Sequence, residues 1–241
     1  YKLDKWNLSE LAKDPKSPSF QRQISEVEAL AKKFEKVKSK INPKMSSKRF
    51  MDIVHEVEEI SEKMSMIGGY ASLSYSADTQ SDETTSLMTR MSKLGSEISN
   101  KILFFDLWWK TKVDDKNAKR LIKDSGELEE YLSHKRLFAK YALSEPEEKI
   151  INTLDVTGIS ALVKLYDKMT SVYEYKMKVG NKIKKMTREE ITNYIRSTNP
   201  KIRETAYQTI LTKYTENKGV IGEMYQNIVL NWKDEGIEIR G

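Results

Sequence analysis

The chain has 241 residues, of which 32% are charged and 38% hydrophobic, with only 10 Gly and 5 Pro. This composition is typical of a soluble, mostly helical protein and excludes a disordered tail or a β-sandwich. Because cysteine is absent, the chain can form neither a disulfide nor a thiolate metal site. The net charge of +6 comes from 42 basic and 36 acidic residues that are largely interleaved, so charge alone does not indicate a nucleic-acid partner.

Three long helices are predicted for the first half of the sequence, because apolar residues recur there at helical spacing between clear breaks. Pro18 follows the capping residue Ser17 and stands where a first-turn proline belongs. Asn42-Pro43 and the turn 78–82 separate the helices, and such short connections predict an antiparallel bundle. The predicted helices run from Pro18 to about Ile41, from Ser46 or Ser47 towards Ala77, and from the turn to Trp109.

A pair of glycines, Gly68 and Gly69, interrupts the apolar pattern of the second helix. Each glycine costs a helix about 1 kcal/mol relative to alanine, so a compensating interaction is expected. Close approach of another helix or of a ligand would supply it. We favour helix packing and keep ligand approach as the alternative.

The second half of the sequence predicts shorter helices with well-marked starts. Ser144 and Glu147 form a capping box around Pro146, and Thr187 and Glu190 form a second one. Each box predicts the start of a helix. The other predicted boundaries are Thr157 as a cap, Asn199-Pro200 as a start, Gly219 as a separator and Lys233 as the end of the last helix.

One β-hairpin is predicted over about residues 172–186. The segments 172–179 and 182–186 have strand-like composition and flank Gly180-Asn181, which is suited to a two-residue hairpin turn. The rest of the pattern is helical, and no fixed-period repeat is present.

The hairpin combines aromatic and basic residues. Strand alternation puts Tyr173 and Tyr175 on one face and Lys176 and Lys178 on the other. The tyrosines are therefore expected to pack on the core while the lysines face solvent. The alternative is a weak single-strand nucleic-acid surface, whose affinity would fall as the salt concentration rises.

Two domains are predicted from these patterns: a helical bundle over residues 1–113 and a helical region with the hairpin over residues 114–241. The fold class is mainly α, a multi-helix antiparallel bundle with one β-hairpin. The last segment, 232–241, carries charges and a short β-branched alternation without a closing element. We therefore expect the chain to be a truncated part of a larger protein.

A cytoplasmic location is expected. The longest apolar stretch, 102–109, is interrupted by Asp106 and is too short to cross a bilayer. The start at Tyr1 shows neither a signal nor a transit peptide, and the lack of cysteine fits a reducing compartment.

Only two histidines are present, which limits the metal chemistry that the sequence offers. His55 and Glu56 begin like a zinc-binding His-Glu-x-x-His helix, but Glu59 stands where the second histidine belongs. We favour a solvent-exposed polar face there over a metal site. His134 stands among cations and is predicted to be a surface side chain. No residue is assigned a catalytic, cofactor-binding or metal-binding role.

Other chemical motifs are also missing from the sequence. There is no Gly-x-Ser-x-Gly elbow and no glycine loop that would cradle a phosphate. Phe104, Phe105, Trp108 and Trp109 follow helical spacing, which predicts a helix buried on two sides rather than a ligand cage.

Several segments, taken together and in this order, resemble oligoendopeptidase F, a thimet-oligopeptidase-like family of zinc peptidases. The order of the segments along the chain also matches that family. The likeness covers nearly the whole chain. The segments are 6–11 (WNLSEL), 70–79 (YASLSYSADT), the helix 94–109, 143–150 (LSEPEEKI), Tyr207 and 225–229 (YQNIV).

The resemblance implies a two-lobed helical clamshell of the zincin type around a deep channel that admits short peptides and excludes folded proteins. It also implies zinc-dependent hydrolysis by a His-Glu-x-x-His helix and a later Glu in the second lobe, and that helix motif does not occur in these 241 residues. The expected role of this chain is to shape the channel wall, inactive by itself, with zinc bound by the parent enzyme. Neither nucleic acid nor a membrane is expected as a partner.

A non-enzymatic helical protein-interaction module is the alternative function. The two hypotheses differ in whether the reading frame continues beyond Gly241 into a catalytic lobe. A frame that terminates at Gly241 would favour the interaction module.

Overall fold

A computed structural model describes residues 6–12 and 14–241 of the chain. The described part is mostly helical and contains one two-stranded antiparallel sheet, which confirms the predicted fold class. It divides into two compact units. Unit 1 comprises the described residues up to Thr157 together with Arg240–Gly241, and unit 2 comprises Gly158–Ile239.

Unit 1 is built from helices of very different length. The two longest, α2 and α3, pack on each other, and both pack on α1. Two short 3₁₀ turns, Gly126–Leu128 and Ala139–Tyr141, flank α5. The helices are α1 (Pro18–Glu35), α2 (Ser47–Ala77), α3 (Asp82–Thr111), α4 (Asp115–Lys123), α5 (Glu129–Leu137) and α6 (Glu145–Asp155).

Serine caps begin the first two helices as predicted. The Ser17 hydroxyl accepts a hydrogen bond from the Phe20 amide at 3.2 Å, and Ser46 accepts one from the Arg49 amide at the same distance. These bonds satisfy amides that the first turn of a helix leaves without partners.

The predicted end of the first helix near Ile41 is wrong, because α1 ends at Glu35. After that residue the amides of Val37 and Lys40 bond carbonyls only three residues back, at Phe34 and Val37 respectively, both at 2.8 Å. The chain therefore continues in tight turns that keep Val37 buried. Apolar spacing persists through such turns and cannot distinguish them from helix.

The core of unit 1 is aromatic where α1, α2 and α3 meet. Phe34 lies 5.3 Å from Phe104, and Phe50 lies 4.8 Å from Trp109, between ring centroids. Burial of each such side chain contributes about 1.5–3 kcal/mol. Phe104, Phe105, Trp108 and Trp109 are all buried, which confirms the helix buried on two sides that the spacing predicts.

The same core continues into the shorter helices of unit 1. Leu121 of α4 and Leu132 of α5 are fully buried in the cluster that contains Trp109. Packing therefore places the division between compact units after Thr157. The domain boundary between residues 113 and 114 stays a prediction.

The glycine pair in α2 does not mark a close helix approach, contrary to the favoured interpretation. A methyl group added at Gly69 would meet no atom within 4 Å, and one at Gly68 would meet only the Met64 side chain, at 3.7 Å. Both positions are partly exposed. Helix packing therefore offers no compensation for the cost of these glycines.

Unit 2 combines helices with the hairpin. The hairpin strands pair in the register Tyr175 with Met186 through Val179 with Lys182. Gly180 adopts a φ of +61°, the left-handed conformation that a tight hairpin turn requires. The elements are α7 (Ile159–Ser171), β1 (Tyr175–Val179), β2 (Lys182–Met186), α8 (Arg188–Ile195), α9 (Pro200–Glu216), α10 (Lys218–Lys233) and a π-helical segment (Asp234–Ile239).

The hairpin alternation is confirmed. Tyr175 and Met177 are buried against Ile191 and Ala206, whereas Lys176 and Lys178 are exposed. The first strand starts three residues later than the predicted residue 172, because residues 172–174 connect α7 to the sheet.

Both predicted capping boxes form. The Ser144 amide donates to the Glu147 carboxylate at 2.9 Å, and the Thr187 amide donates to the Glu190 carboxylate at 2.8 Å. The Asn199 side chain accepts from the Lys201 amide at 3.0 Å, so the predicted start of α9 is also confirmed.

Two other predicted boundaries are wrong. Gly158 precedes α7, and the Thr157 hydroxyl instead donates to the Leu154 carbonyl oxygen at 3.3 Å, at the end of α6. The break between α9 and α10 lies at Asn217, and Gly219 is already helical. In both cases a neighbouring residue takes the turn, and local sequence preference does not distinguish the two positions.

Candidate functional site

Unit 1 contains a cavity of about 550 Å³ that opens to solvent between α2 and α5, and we call it the trough. Its volume lies in the range of about 300–1,000 Å³ that small-molecule sites occupy. Three helices and the turn before α5 contribute to its walls. The lining residues are Val54, Val57, Glu58, Ser61, Ser99, Ile102, Leu103, Phe105, Asp106, Trp109, Leu128, Tyr131, Leu132 and Lys135.

The floor of the trough is the apolar surface of α3, because α3 packs against both α2 and α5. Ile102 and Leu103 provide partly exposed aliphatic surface there, and the almost fully buried rings of Phe105 and Trp109 lie beside them. The Trp109 indole nitrogen donates to the Leu132 carbonyl oxygen at 2.9 Å, and Arg136 donates to the Trp109 carbonyl oxygen at 2.7 Å. These two bonds hold α5 against α3, so the trough is a preformed feature of the unit.

An ion-paired carboxylate lies at the α5 side of the trough. The Asp106 carboxylate contacts the ammonium groups of Lys110 and Lys135, both at 2.5 Å. Burial opposes ionisation of Asp106, but hydrogen bonds from both lysines outweigh it and hold the pKa of Asp106 below its usual value. For Lys135, burial likewise opposes the charge, and contact with Asp106 more than offsets it, so that its pKa is raised.

Tyr131 completes this wall. The Lys135 ammonium lies 5.1 Å from the centroid of the Tyr131 ring, within the range of a cation–π contact. About half of the Tyr131 surface is exposed, so the ring is accessible from the trough.

The opposite wall carries a second carboxylate. Glu58 projects from α2, and its carboxylate lies 3.0 Å from His55 Nδ1. Both side chains are well exposed. Glu58 on α2 and Lys135 on α5 both line the trough, so opposite charges face it from separate helices. Among the described residues, these two side chains form no ion pair with each other.

Neither His55 nor His134 lies in a cluster of potential metal ligands within the described part of the chain. Among residues 6–12 and 14–241, no group of three or more His, Asp or Glu side chains is arranged to hold a metal ion. The side chains of His55 and Glu58 are exposed, as a solvent-exposed polar face requires, and the absence of a metal role there stays a prediction. His134 is exposed beside Phe138, with ring centroids 5.2 Å apart, which confirms it as a surface residue.

The hairpin tyrosines are packed and do not form a stacking platform for bases. Tyr173 and Tyr175 are buried, and Tyr214 of α9 packs edge-on against Tyr173 with ring centroids 5.7 Å apart. Burial raises the pKa of Tyr175 above its ordinary value. The burial of both tyrosines supports the interpretation that they pack on the core, rather than the alternative of a surface that stacks on nucleic-acid bases.

Unit 2 exposes an apolar stripe on α10, which we call the α10 face. Tyr225, Val229 and Trp232 are spaced by four and three residues, so they share one side of the helix. Tyr225 is 70% exposed and Trp232 is 78% exposed.

Among the described residues, no helix combines the length and the apolar character needed to cross a bilayer.

Sequence reasoning missed the trough. Its lining residues come from segments that are more than 70 positions apart, and no local pattern connects Glu58 with Lys135. The sequence feature nearest to the trough is the group of aromatic residues around Trp109. Such a group predicts burial, and it does not predict a cavity beside the buried residues.

Comparison with known proteins relates the fold to one family. Residues 111–175, which span α4 to α7, match the family model described as Oligopeptidase F. The crystal structure of oligoendopeptidase-F from Enterococcus faecium matches 92% of this chain and 43% of its own chain, with a TM-score of 0.73 and 16% sequence identity. This chain therefore spans less than half the length of that structure. No curated protein matches the sequence.

A second solved structure, described as a candidate peptidase from Chlamydophila abortus, matches 97% of this chain and 41% of its own, with 12% identity. Its TM-score of 0.49 is too low to support an inference. The family match and the similarity of fold to the Enterococcus faecium structure together confirm the resemblance of this chain to oligoendopeptidase F.

Proposed function

We propose that this chain is the amino-terminal, channel-forming lobe of a zinc-dependent oligoendopeptidase that hydrolyses short peptides. The observation that carries the proposal is the family match over residues 111–175. The similarity of fold over 92% of the chain supports it. The proposed parent enzyme is longer than this chain and supplies the catalytic part.

In the proposed parent enzyme, a bound zinc ion would supply the activation of water and the polarisation of the scissile carbonyl group. The described residues do not offer a ligand set for such an ion, so we propose that it is bound outside this chain. The role of this chain is then to restrict access, because a wall of long, well-packed helices excludes folded substrates and admits short peptides.

The proposal predicts that the chain has no peptidase activity by itself. The purified chain would be incubated with internally quenched fluorescent oligopeptides, with and without added zinc. We expect no increase in fluorescence above the protein-free control. Cleavage that disappears on addition of a chelator would show a catalytic site in this chain and overturn the proposal.

The gene offers a second test. We expect the reading frame to continue past the codon for Gly241 into a segment that contains a His-Glu-x-x-His motif, and the longer product to cleave the same peptides. A stop codon directly after the codon for Gly241 would contradict the proposed parent enzyme and favour the second candidate below.

A helical protein-interaction module is the second candidate, and the α10 face is the observation that favours it. Exposed aromatic stripes of this kind mark surfaces that another protein covers. The two candidates differ in the nature of that protein, a catalytic lobe of the same polypeptide or a separate partner.

We also propose a cytoplasmic location, which rests on the absence of cysteine and on the resemblance. Neither nucleic acid nor a membrane is proposed as a partner. Fractionation of cells that produce the native protein tests the location, and recovery with secreted material would contradict it.

A further inference from the structure

We propose that the trough binds a small zwitterion with apolar side chains, such as an apolar dipeptide with free termini. The free ammonium group would pair with Glu58, the free carboxylate would pair with Lys135, and the side chains would lie on the α3 floor. This site goes beyond the proposed function, because it lies within unit 1 and does not depend on a catalytic lobe.

The apolar part of the ligand is inferred from the floor. Val57, Ile102 and Leu103 present partly exposed aliphatic surface to a cavity of about 550 Å³. Covering such surface with an apolar group removes it from water, which favours binding. Water in an apolar-floored cavity finds few hydrogen-bond partners, so an apolar ligand displaces it readily.

The charges of the ligand are inferred from the two walls. Glu58 stands on α2 and Lys135 on α5, with the α3 floor between them. Their present partners leave capacity for a ligand, because among the described residues the Glu58 carboxylate is paired only with the exposed His55 side chain, and Asp106 divides its carboxylate between Lys110 and Lys135. A zwitterion complements both walls at once.

A ligand with a single charge fits this arrangement less well. A ligand with only a carboxylate would pair with Lys135 and leave Glu58 without a cationic partner. A ligand with only an amine would pair with Glu58 and leave Lys135 without a ligand carboxylate. Because opposite charges on separate walls also set direction, the site would orient a dipeptide with its amino end towards α2 and its carboxyl end towards α5.

The proposal is tested by calorimetric titration of the full 241-residue chain with the dipeptide Leu-Phe at low salt. Two matched ligands isolate the end groups: N-acetyl-Leu-Phe, which lacks the ammonium group, and Leu-Phe amide, which lacks the carboxylate. We expect saturable binding of Leu-Phe and binding of each blocked ligand that is weaker by about threefold to tenfold.

Four charge variants locate the contacts. Glu58→Gln and Lys135→Gln are each expected to weaken Leu-Phe binding by about threefold to tenfold, with smaller effects at high salt. Glu59→Gln and Lys48→Gln remove exposed charges from α2 outside the trough and are expected to leave binding unchanged. Circular dichroism confirms that each variant is folded.

A steric variant tests the location without changing a charge. Ser99 lies at the exposed edge of the trough, so Ser99→Trp is expected to fill the trough and abolish binding. Ser86→Trp, on an exposed part of α3 more than three turns before Ser99 and not among the lining residues, is the matched control and should bind as the unmodified chain does.

Absence of saturable binding by Leu-Phe would overturn the proposal. Equal binding of the free and blocked ligands would overturn the assignment to a zwitterion, and full binding by the Ser99→Trp variant would overturn the assignment to the trough. None of these outcomes bears on peptidase activity, so failure here is distinguishable from failure of the proposed function.

Discussion

The Trp109 indole nitrogen donates a hydrogen bond of 2.9 Å to the Leu132 carbonyl oxygen, and both residues are buried in the core of unit 1. The bond joins α3 to α5 at the floor of the trough. If the donor is removed, the Leu132 carbonyl oxygen stays buried without a hydrogen bond, and the cost of removing it from water is no longer offset. Loss of such a bond therefore destabilises the fold by more than the average net contribution of a hydrogen bond.

Replacement of Trp109 tests this bond. Trp109→Phe is expected to lower the free energy of unfolding by about 2–4 kcal/mol, because it removes the donor and leaves a void. Urea unfolding followed by circular dichroism measures the change. Trp108→Phe is the matched control, since Trp108 is buried and stacks on Phe105, and we expect a smaller loss there. Equal losses would show that the hydrogen bond contributes little.

The Asp106 carboxylate predicts a pH-dependent contribution to stability. Its pKa is lowered in the folded chain, so its ionised form stabilises the fold above the unfolded pKa of about 3.9, and this stabilisation disappears as pH falls through the lower folded value. Asp106→Asn is expected to cost about 1–3 kcal/mol at pH 7, because two lysines lose their partner.

The pH series supplies the check on Asp106. The difference in unfolding free energy between the unmodified chain and Asp106→Asn should shrink as pH is lowered from the unfolded pKa of about 3.9 towards the lower folded value. A difference that stays constant over this range would contradict the assigned role of the ion pairs with Lys110 and Lys135.

The Tyr175 side chain predicts opposite effects for two substitutions. Its ring is buried under the hairpin, and within the described part of the chain its hydroxyl lies near the Tyr214 hydroxyl but makes no hydrogen bond of good geometry. Tyr175→Phe is therefore expected to keep or raise stability by up to about 1 kcal/mol, whereas Tyr175→Ala should cost about 3–5 kcal/mol through cavity formation. Thermal unfolding measures both, and a large loss in the phenylalanine variant would reveal a bond to the hydroxyl.

The glycines of the chain predict a stabilising substitution. Gly69 lies inside α2 with open space around it, so Gly69→Ala is expected to raise the free energy of unfolding by about 0.5–1 kcal/mol. Gly126 adopts a φ of +58°, where a side chain is strained. Gly126→Ala should therefore lower the free energy of unfolding by about 1 kcal/mol. A loss of stability on Gly69→Ala would indicate that another surface approaches this position.

The α10 face predicts association or dye binding by the isolated chain. The double variant Tyr225→Ser, Trp232→Ser is expected to bind less of an apolar fluorescent dye and to self-associate less at high concentration, because it removes most of the exposed aromatic surface. Ile183→Ser is the matched control, since Ile183 is 74% exposed on the hairpin. Dye fluorescence and analytical ultracentrifugation give the readouts, and equal effects of control and double variant would contradict a special role for α10.

The local features of the fold were predictable from neighbouring residues. The capping boxes at Ser144 and Thr187, and the hairpin turn at Gly180, depend on hydrogen bonds and backbone angles within a few positions. The same holds for the side of the hairpin on which Tyr175 lies, because strand alternation sets it. The family resemblance likewise came from short segments in order.

Features that depend on distant residues were not predictable in this way. Helix α1 ends at Glu35 although its apolar spacing continues, and Leu121 and Leu132 join the core of Trp109 across what the pattern treats as a boundary. Gly69 has open space although helix packing was expected there.

The trough shows the physical reason most directly. Glu58 and Lys135 face one cavity only because α3 packs between α2 and α5, and that packing depends on a donor in one helix and an acceptor in another. Hydrogen-bonding and steric preferences act over a few residues and can be read along the chain. A cavity is the space that side chains leave when helices pack, so it exists only in the assembled tertiary structure.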